Sequence, residues 1–114
     1  MRTVSTPGLE NITAALVAQA QATVGLQLDA VFLYGSYARG DYDMDSDIDF
    51  MILINCPASM LRIYQDAFDR LSSRLSLQYD ITVSITLRDS ETYNRFRSVL
   101  PFYSNIDREG IQIA

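Results

Sequence analysis

Leu33-Tyr34-Gly35-Ser36-Tyr37-Ala38-Arg39-Gly40, followed six residues later by Ser46-Asp47-Ile48-Asp49, sets a Gly-Ser turn between two apolar runs and opens the second run with alternating carboxylates. The first run, Ala30 to Tyr34, is short and bounded by Asp29 and Gly35, which suits a buried strand. Gly35 stops it. Without a Cβ the backbone can turn sharply and let a phosphate come close, and Ser36 adds a hydroxyl and its own N–H. Tyr37 to Arg39 read as the first turn of a short helix, whose N–H groups and dipole favour an anion. Ile48 to Ile54 is the next strand. A side-chain period of two puts Asp47 and Asp49 on one face, about 7 Å apart at Cα, and turns Ile48 and Phe50 into the core. Carboxylates so placed can converge on hard divalent cations, which take oxygen ligands.

Gln78 to Thr86 reads as a further strand, with Asp80 as its only charged residue. Paired beside the strand of Asp47 and Asp49, it would bring a third carboxylate to the same sheet face. Three such groups can hold two ions about 3.5–4 Å apart, a clamp for the attacking and leaving oxygens of an in-line phosphoryl displacement. The competing reading puts Asp80 on an edge strand facing water.

GSYARG, then SDID, with ten residues between Ser36 and Asp47, resembles the nucleotidyltransferase signature of the DNA polymerase β superfamily, and in particular its minimal nucleotidyltransferase (MNT) domains. Ser104 to Ile111, SNIDREGI, is similar to the terminal segment of those domains, so the likeness runs from about residue 30 to 113. The resemblance implies that Gly35 and Ser36 contact the nucleotide phosphates and that Asp47, Asp49 and Asp80 bind two Mg2+ ions and serve catalysis, with ATP as substrate. Arg39 would either touch phosphate or brace a loop acid. MNT domains resemble the antitoxin halves, of the MntA type, of toxin–antitoxin pairs whose partners are HEPN-domain ribonucleases. The likeness therefore implies a HEPN toxin as partner and AMP transfer to a hydroxyl of that protein.

Composition sets outer bounds. A chain of 114 residues suits one domain, 1–114, able to bury about two thirds of its unfolded surface without disulfides. The single cysteine, Cys56, excludes an internal disulfide and reads as an inert packed thiol. No signal peptide or long apolar span is recognised, so a cytoplasmic protein without membrane attachment is expected. The formal net charge of −5 argues against binding a nucleic-acid backbone. All nine basic residues are arginine, with neither lysine nor histidine, so triphosphate charge falls to metal ions, backbone N–H groups and arginine.

The alternating Asp41, Asp43, Asp45, Asp47 and Asp49 do not make a calcium loop: an EF-hand counted from Asp41 needs Gly where Ser46 stands and Glu where Ile52 stands. Asp41, Asp43 and Asp45 read as solvated loop residues. Elsewhere the pattern is scaffold. Leu9, Ile12, Leu16, Ala20 and Val24 mark a first helix between Pro7 and Gly25, and Leu61, Tyr64, Phe68, Leu71 and Leu75 mark a second covering the sheet. Ser90 is a candidate cap for a third helix through about Val99, which Pro101 interrupts. Tyr93, Phe96, Phe102 and Tyr103 read as packing rather than as a partner surface. After Gly110 a terminal strand, Ile111 to Ile113, closes an α/β fold with a small mixed β-sheet flanked by helices, the polymerase-β-type nucleotidyltransferase fold.

Two further functions stay open on the sequence. One is a non-catalytic nucleotide-binding antitoxin or scaffold acting by direct contact. The other is nucleotidyl transfer to a small molecule.

Overall fold

The computed structural model describes residues 6–114, with side chains from Gly8 onward; the expected first residues of the domain, 1–5, lie outside it. In chain order the elements are α1 (Thr6–Val24), β1 (Leu28–Tyr34), α2 (Ser36–Arg39), β2 (Ile48–Ile54), α3 (Leu61–Tyr79), β3 (Val83–Asp89), α4 (Ser90–Phe96), α5 (Pro101–Glu109) and β4 (Ile111–Gln112). The sheet runs β3-β2-β1-β4 and is mixed: β1 is antiparallel to β2 and β4, while β2 and β3 are parallel. The parallel pair demands a crossover, and the helix of α3 supplies it.

Strand alternation splits the core in two. Phe50, Ile52 and Ile54 of β2, with Val31 and Leu33 of β1, pack on Ile12, Leu16 and Ala20 of α1 and Phe68, Leu71 and Leu75 of α3. On the other face Met51, Leu53 and Ala30 meet Tyr93 of α4 and Tyr103 and Ile106 of α5. β2 is therefore apolar on both sides, as a central strand covered by two helical layers must be. Asp49 shares the parity of Met51 and so belongs to the α4–α5 face, at the end those helices leave open.

Three expectations are corrected, at the end of α3, at Pro101 and at the cap of α4. Gln78 and Tyr79 finish α3 rather than begin a strand, and β3 starts only at Val83. The cause is the helix end: Asp80 takes the left-handed conformation, φ 53° and ψ 44°, and its N–H bonds back to the Ser76 carbonyl. Ile81 N–H reaches the same oxygen, and Ser76 Oγ accepts the Val83 N–H at 2.9 Å, tying helix end to strand start. Pro101 also proves to start a helix, not merely to stop one. Its ring presets the first helical turn and its missing N–H costs nothing there, so α5 follows α4, which ends at Phe96. α4 is capped by Asp89, whose Oδ2 accepts the Thr92 N–H and hydroxyl at 2.9 and 2.8 Å, while the Ser90 hydroxyl donates to Asp29 instead. At the chain end β4 stops at Gln112, one residue short of the expected Ile113, whose N–H still donates to the Val31 carbonyl.

Candidate functional site

The Gly-Ser turn sits where the sequence puts it. Gly35 adopts φ 76° and ψ −158°, a conformation that L side chains rarely take, and its carbonyl accepts the Ala38 and Arg39 N–H groups to start α2. A Cβ built on Gly35 would lie 2.5 Å from Asp49 Oδ2, so the turn and the carboxylate of β2 are in direct apposition. Ser36, half-buried, opens α2, and Gly40, φ 84°, closes it. Tyr37 is buried beneath the turn and stacks on Tyr42 at 4.1 Å, holding the following loop against α2.

That loop is knitted by its own acids. Asp43 Oδ1 accepts the Asp45 N–H and the Ser46 hydroxyl, and Ser46 Oγ accepts the Asp43 N–H. Asp41 pairs with Arg39 at 3.1 Å, on an exposed surface. The loop acids thus act as solvated struts that carry Asp47 to the mouth of β2. Arg39 also has Glu109 at 3.9 Å on its other side and lines a cleft with Gly35, and its charge draws the Asp49 carboxyl toward the ionised form.

Asp47 is exposed and Asp49 half-buried. Burial first, then the charge of Asp47, push the Asp49 carboxyl up from 3.8 to about 6, against the smaller pull of Arg39. Two repelling carboxylates, one of them partly desolvated beside a turn without a side chain, are a chemically suitable holder for a divalent cation that also binds phosphate. Mg2+ therefore fits Asp47 and Asp49.

Asp80 does not join them as a strand neighbour. It is the exposed cap of α3, and it faces a cleft of about 370 Å³ shared with Asp47, Ser76, Leu77 and Thr82 but not with Gly35 or Asp49. Among the described residues no three Asp, Glu, Cys or His side chains gather closely enough to hold one ion. The β3 residue in register with Asp49 is Ser84. The structure therefore brings Asp47 and Asp49 together at the start of β2 and does not gather Asp80 with both of them.

Residues the sequence reading left aside complete the face. Tyr34 pairs across β1–β2 with Asp49, and its hydroxyl lies 3.4 Å from Thr86 Oγ1. Burial chiefly, with the Asp49 charge, raises its phenol above the usual value. Arg88 sits over the Phe102 ring at 5.6 Å and donates to the Tyr103 hydroxyl. Between Tyr34, Gly35, Arg39 and the α5 residues Phe102, Asn105 and Glu109 lies a second cleft of about 240 Å³. The available signal was the alternation of Val83, Ile85 and Leu87 with Ser84, Thr86 and Arg88, a strand with one polar face. Of the four aromatics assigned to packing, Tyr93 and Tyr103 are buried and Phe96 packs beside them, but Phe102 is exposed at the cleft rim. Cys56 packs against the main core, and burial raises its thiol, consistent with an inert role.

A nucleotidyltransferase domain family matches residues 21–109, from the end of α1 to the end of α5. The chain belongs to the nucleotidyltransferase family. A candidate protein adenylyltransferase of Methanocaldococcus jannaschii is 45% identical over 58 residues, 51% of this chain and 57% of that protein, so the shared stretch is little over half of the relative's length. Among solved structures, a toxin–antitoxin complex with AMP-PNP superposes with a TM-score of 0.59 at 19% identity, over 90% of this chain and 72% of that one. A complex of an MNT antitoxin with a tri-AMPylated HEPN toxin of Shewanella oneidensis superposes with a TM-score of 0.53 at 18% identity, over 92% and 71%. The chain thus shares its fold with a chain of the toxin–antitoxin structures, a mixed four-stranded sheet flanked by helices. Among its described residues no helix is long and apolar enough to cross a membrane.

Proposed function

We propose that the chain transfers AMP from Mg-ATP to a hydroxyl of a partner protein, and that it acts as an MNT antitoxin whose partner is a HEPN-domain toxin. The observation that carries this reading is the apposition of Gly35 and Asp49, which sets a glycine turn against the carboxylate that the charge of Asp47 reaches. The likeness to a protein adenylyltransferase, and to antitoxins crystallised with AMP-PNP or with an AMPylated toxin, supports nucleotide and partner alike.

In this reading Gly35 lets the terminal phosphates lie against the backbone, and Ser36 offers its N–H and hydroxyl to them. Asp47 and Asp49 hold Mg2+, which would supply neutralisation of phosphate charge. The acceptor oxygen forms its bond to the α-phosphorus as the bond to pyrophosphate breaks, and the hydroxyl proton leaves to a base or to water. With no histidine or lysine in the chain, its own contribution is alignment and electrostatics, which dominate phosphoryl chemistry. The cleft between Tyr34 and α5 lies beside the turn and is open for part of the nucleotide or the acceptor.

A neutral Ser84 beside Asp49, with Asp80 apart from the pair, favours a second reading, in which the site binds nucleotide without turnover and the antitoxin acts by contact. One experiment separates them. The chain is co-expressed with its HEPN partner, and the partner's mass and the survival of the cells are followed. Transfer predicts a partner heavier by whole AMP units, with both adduct and protection lost in the Asp47→Asn/Asp49→Asn double variant. Protection that persists in that variant, on an unmodified partner, supports contact alone.

A further inference from the structure

We infer that the centre takes a single divalent cation, carried between Asp47 and Asp49 with the nucleotide, and that Ser84 marks the place from which a second ion would have been held. The inference rests on the reading of this face as a nucleotide site and fixes its metal stoichiometry.

The argument is one of register. β2 and β3 run parallel with Asp49 beside Ser84 and Met51 beside Thr86, so Ser84, Thr86 and Arg88 are the β3 side chains on the face of Asp49. Neighbouring strands lie about 4.8 Å apart, close enough for a carboxylate at 84 to share ions with Asp49. The stripe instead offers two neutral hydroxyls and a guanidinium. From β1 the nearest contribution is Tyr34, a phenol already directed to Thr86. Asp80 caps α3 and shares a cleft with Asp47 but not with Asp49 or Gly35, so it does not stand between the two acids. Two ions about 3.5–4 Å apart repel strongly and need several anionic ligands between them. Two carboxylates plus a triphosphate satisfy one hexacoordinate Mg2+ well, because Mg2+ keeps water in its remaining positions.

The test counts ions. Mn2+ replaces Mg2+ and the full chain is titrated with AMP-PNP present, the bound metal being read by electron paramagnetic resonance and by calorimetry. The expected result is one Mn2+ per chain with no spin coupling, the same count in Ser84→Ala, and a rise to two coupled Mn2+ in Ser84→Asp. Two coupled ions in the unaltered chain overturn the inference, as does loss of the single ion in Ser84→Ala or a Ser84→Asp variant that binds AMP-PNP but stays at one. AMP-PNP that fails to bind the unaltered chain at all, with or without Mn2+, overturns the nucleotide-site reading itself, an outcome distinct from a miscounted metal.

Discussion

Asp49 shows how one side chain carries both a cost to the fold and a use for the site. Its carboxyl stands near 6 rather than 3.8 because burial and Asp47 both oppose its charge. Between those values the unfolded chain gives up its proton while the folded chain keeps it, so stability falls as pH rises through that window and the penalty is complete above about 6. Asp49→Asn should therefore stabilise the metal-free protein at pH 7.5 by about 1 kcal/mol, after allowance for the group's half exposure, and leave it unchanged near pH 3.5. Urea unfolding at the two pH values measures this; a loss of stability at pH 7.5 would contradict it. Gly35 has the opposite character. Gly35→Ala places a Cβ 2.5 Å from Asp49 Oδ2 at φ 76°, and should cost about 1–3 kcal/mol while displacing the carboxylate. Nucleotide affinity, measured by titration with AMP-PNP and Mg2+, should fall at least tenfold. The turn and the two leading acids were legible because glycine and a period of two are strong local signals. Asp80 was not, since its place depends on where a helix ends.

At the scale of elements, the apolar spacing of α1, α3, β1 and β2 identified them directly, as amphipathic helices and buried strands should. The failures lie at boundaries whose chemistry is ambiguous. The end of α3 has no Gly or Pro, and Asp80 assumes a left-handed cap that is more often left to glycine. Pro101 reads equally as a stop and as a first-turn residue, and only the burial of Tyr103 and Ile106 against the sheet decides for α5. The cap of α4 gives a test of this level. Asp89 is buried and bonds Thr92 twice, so Asp89→Ala should cost about 1–2 kcal/mol in chemical denaturation, while Asp89→Asn, whose amide oxygen can accept the same N–H, should keep most of that stability. Equal losses in the two variants would assign the effect to charge rather than to the cap.

Over the whole molecule, two helical layers cover the sheet, Gly35, Asp47 and Asp49 lie at one end of the α4–α5 face, and the family match spans everything from the last turn of α1 to the end of α5. The family and the fold were legible because their signature is local: a turn, a fixed spacing and two acids. The placing of Ser84 beside Asp49 was not, because it depends on the register of β3, which no single segment encodes. Ligand linkage gives a global check: AMP-PNP with Mg2+ at 100 times its Kd should raise the unfolding free energy by about 2.7 kcal/mol, and the Asp47→Asn/Asp49→Asn chain should show little of that gain in a thermal-shift series. The most direct measurement of all uses ATP labelled at either the α or the γ phosphorus, incubated with the chain, Mg2+ and the HEPN partner. The account predicts α label on the partner and γ label released in pyrophosphate. Label retained from the γ position, or α label transferred equally well by the Asp47→Asn/Asp49→Asn chain, would contradict it.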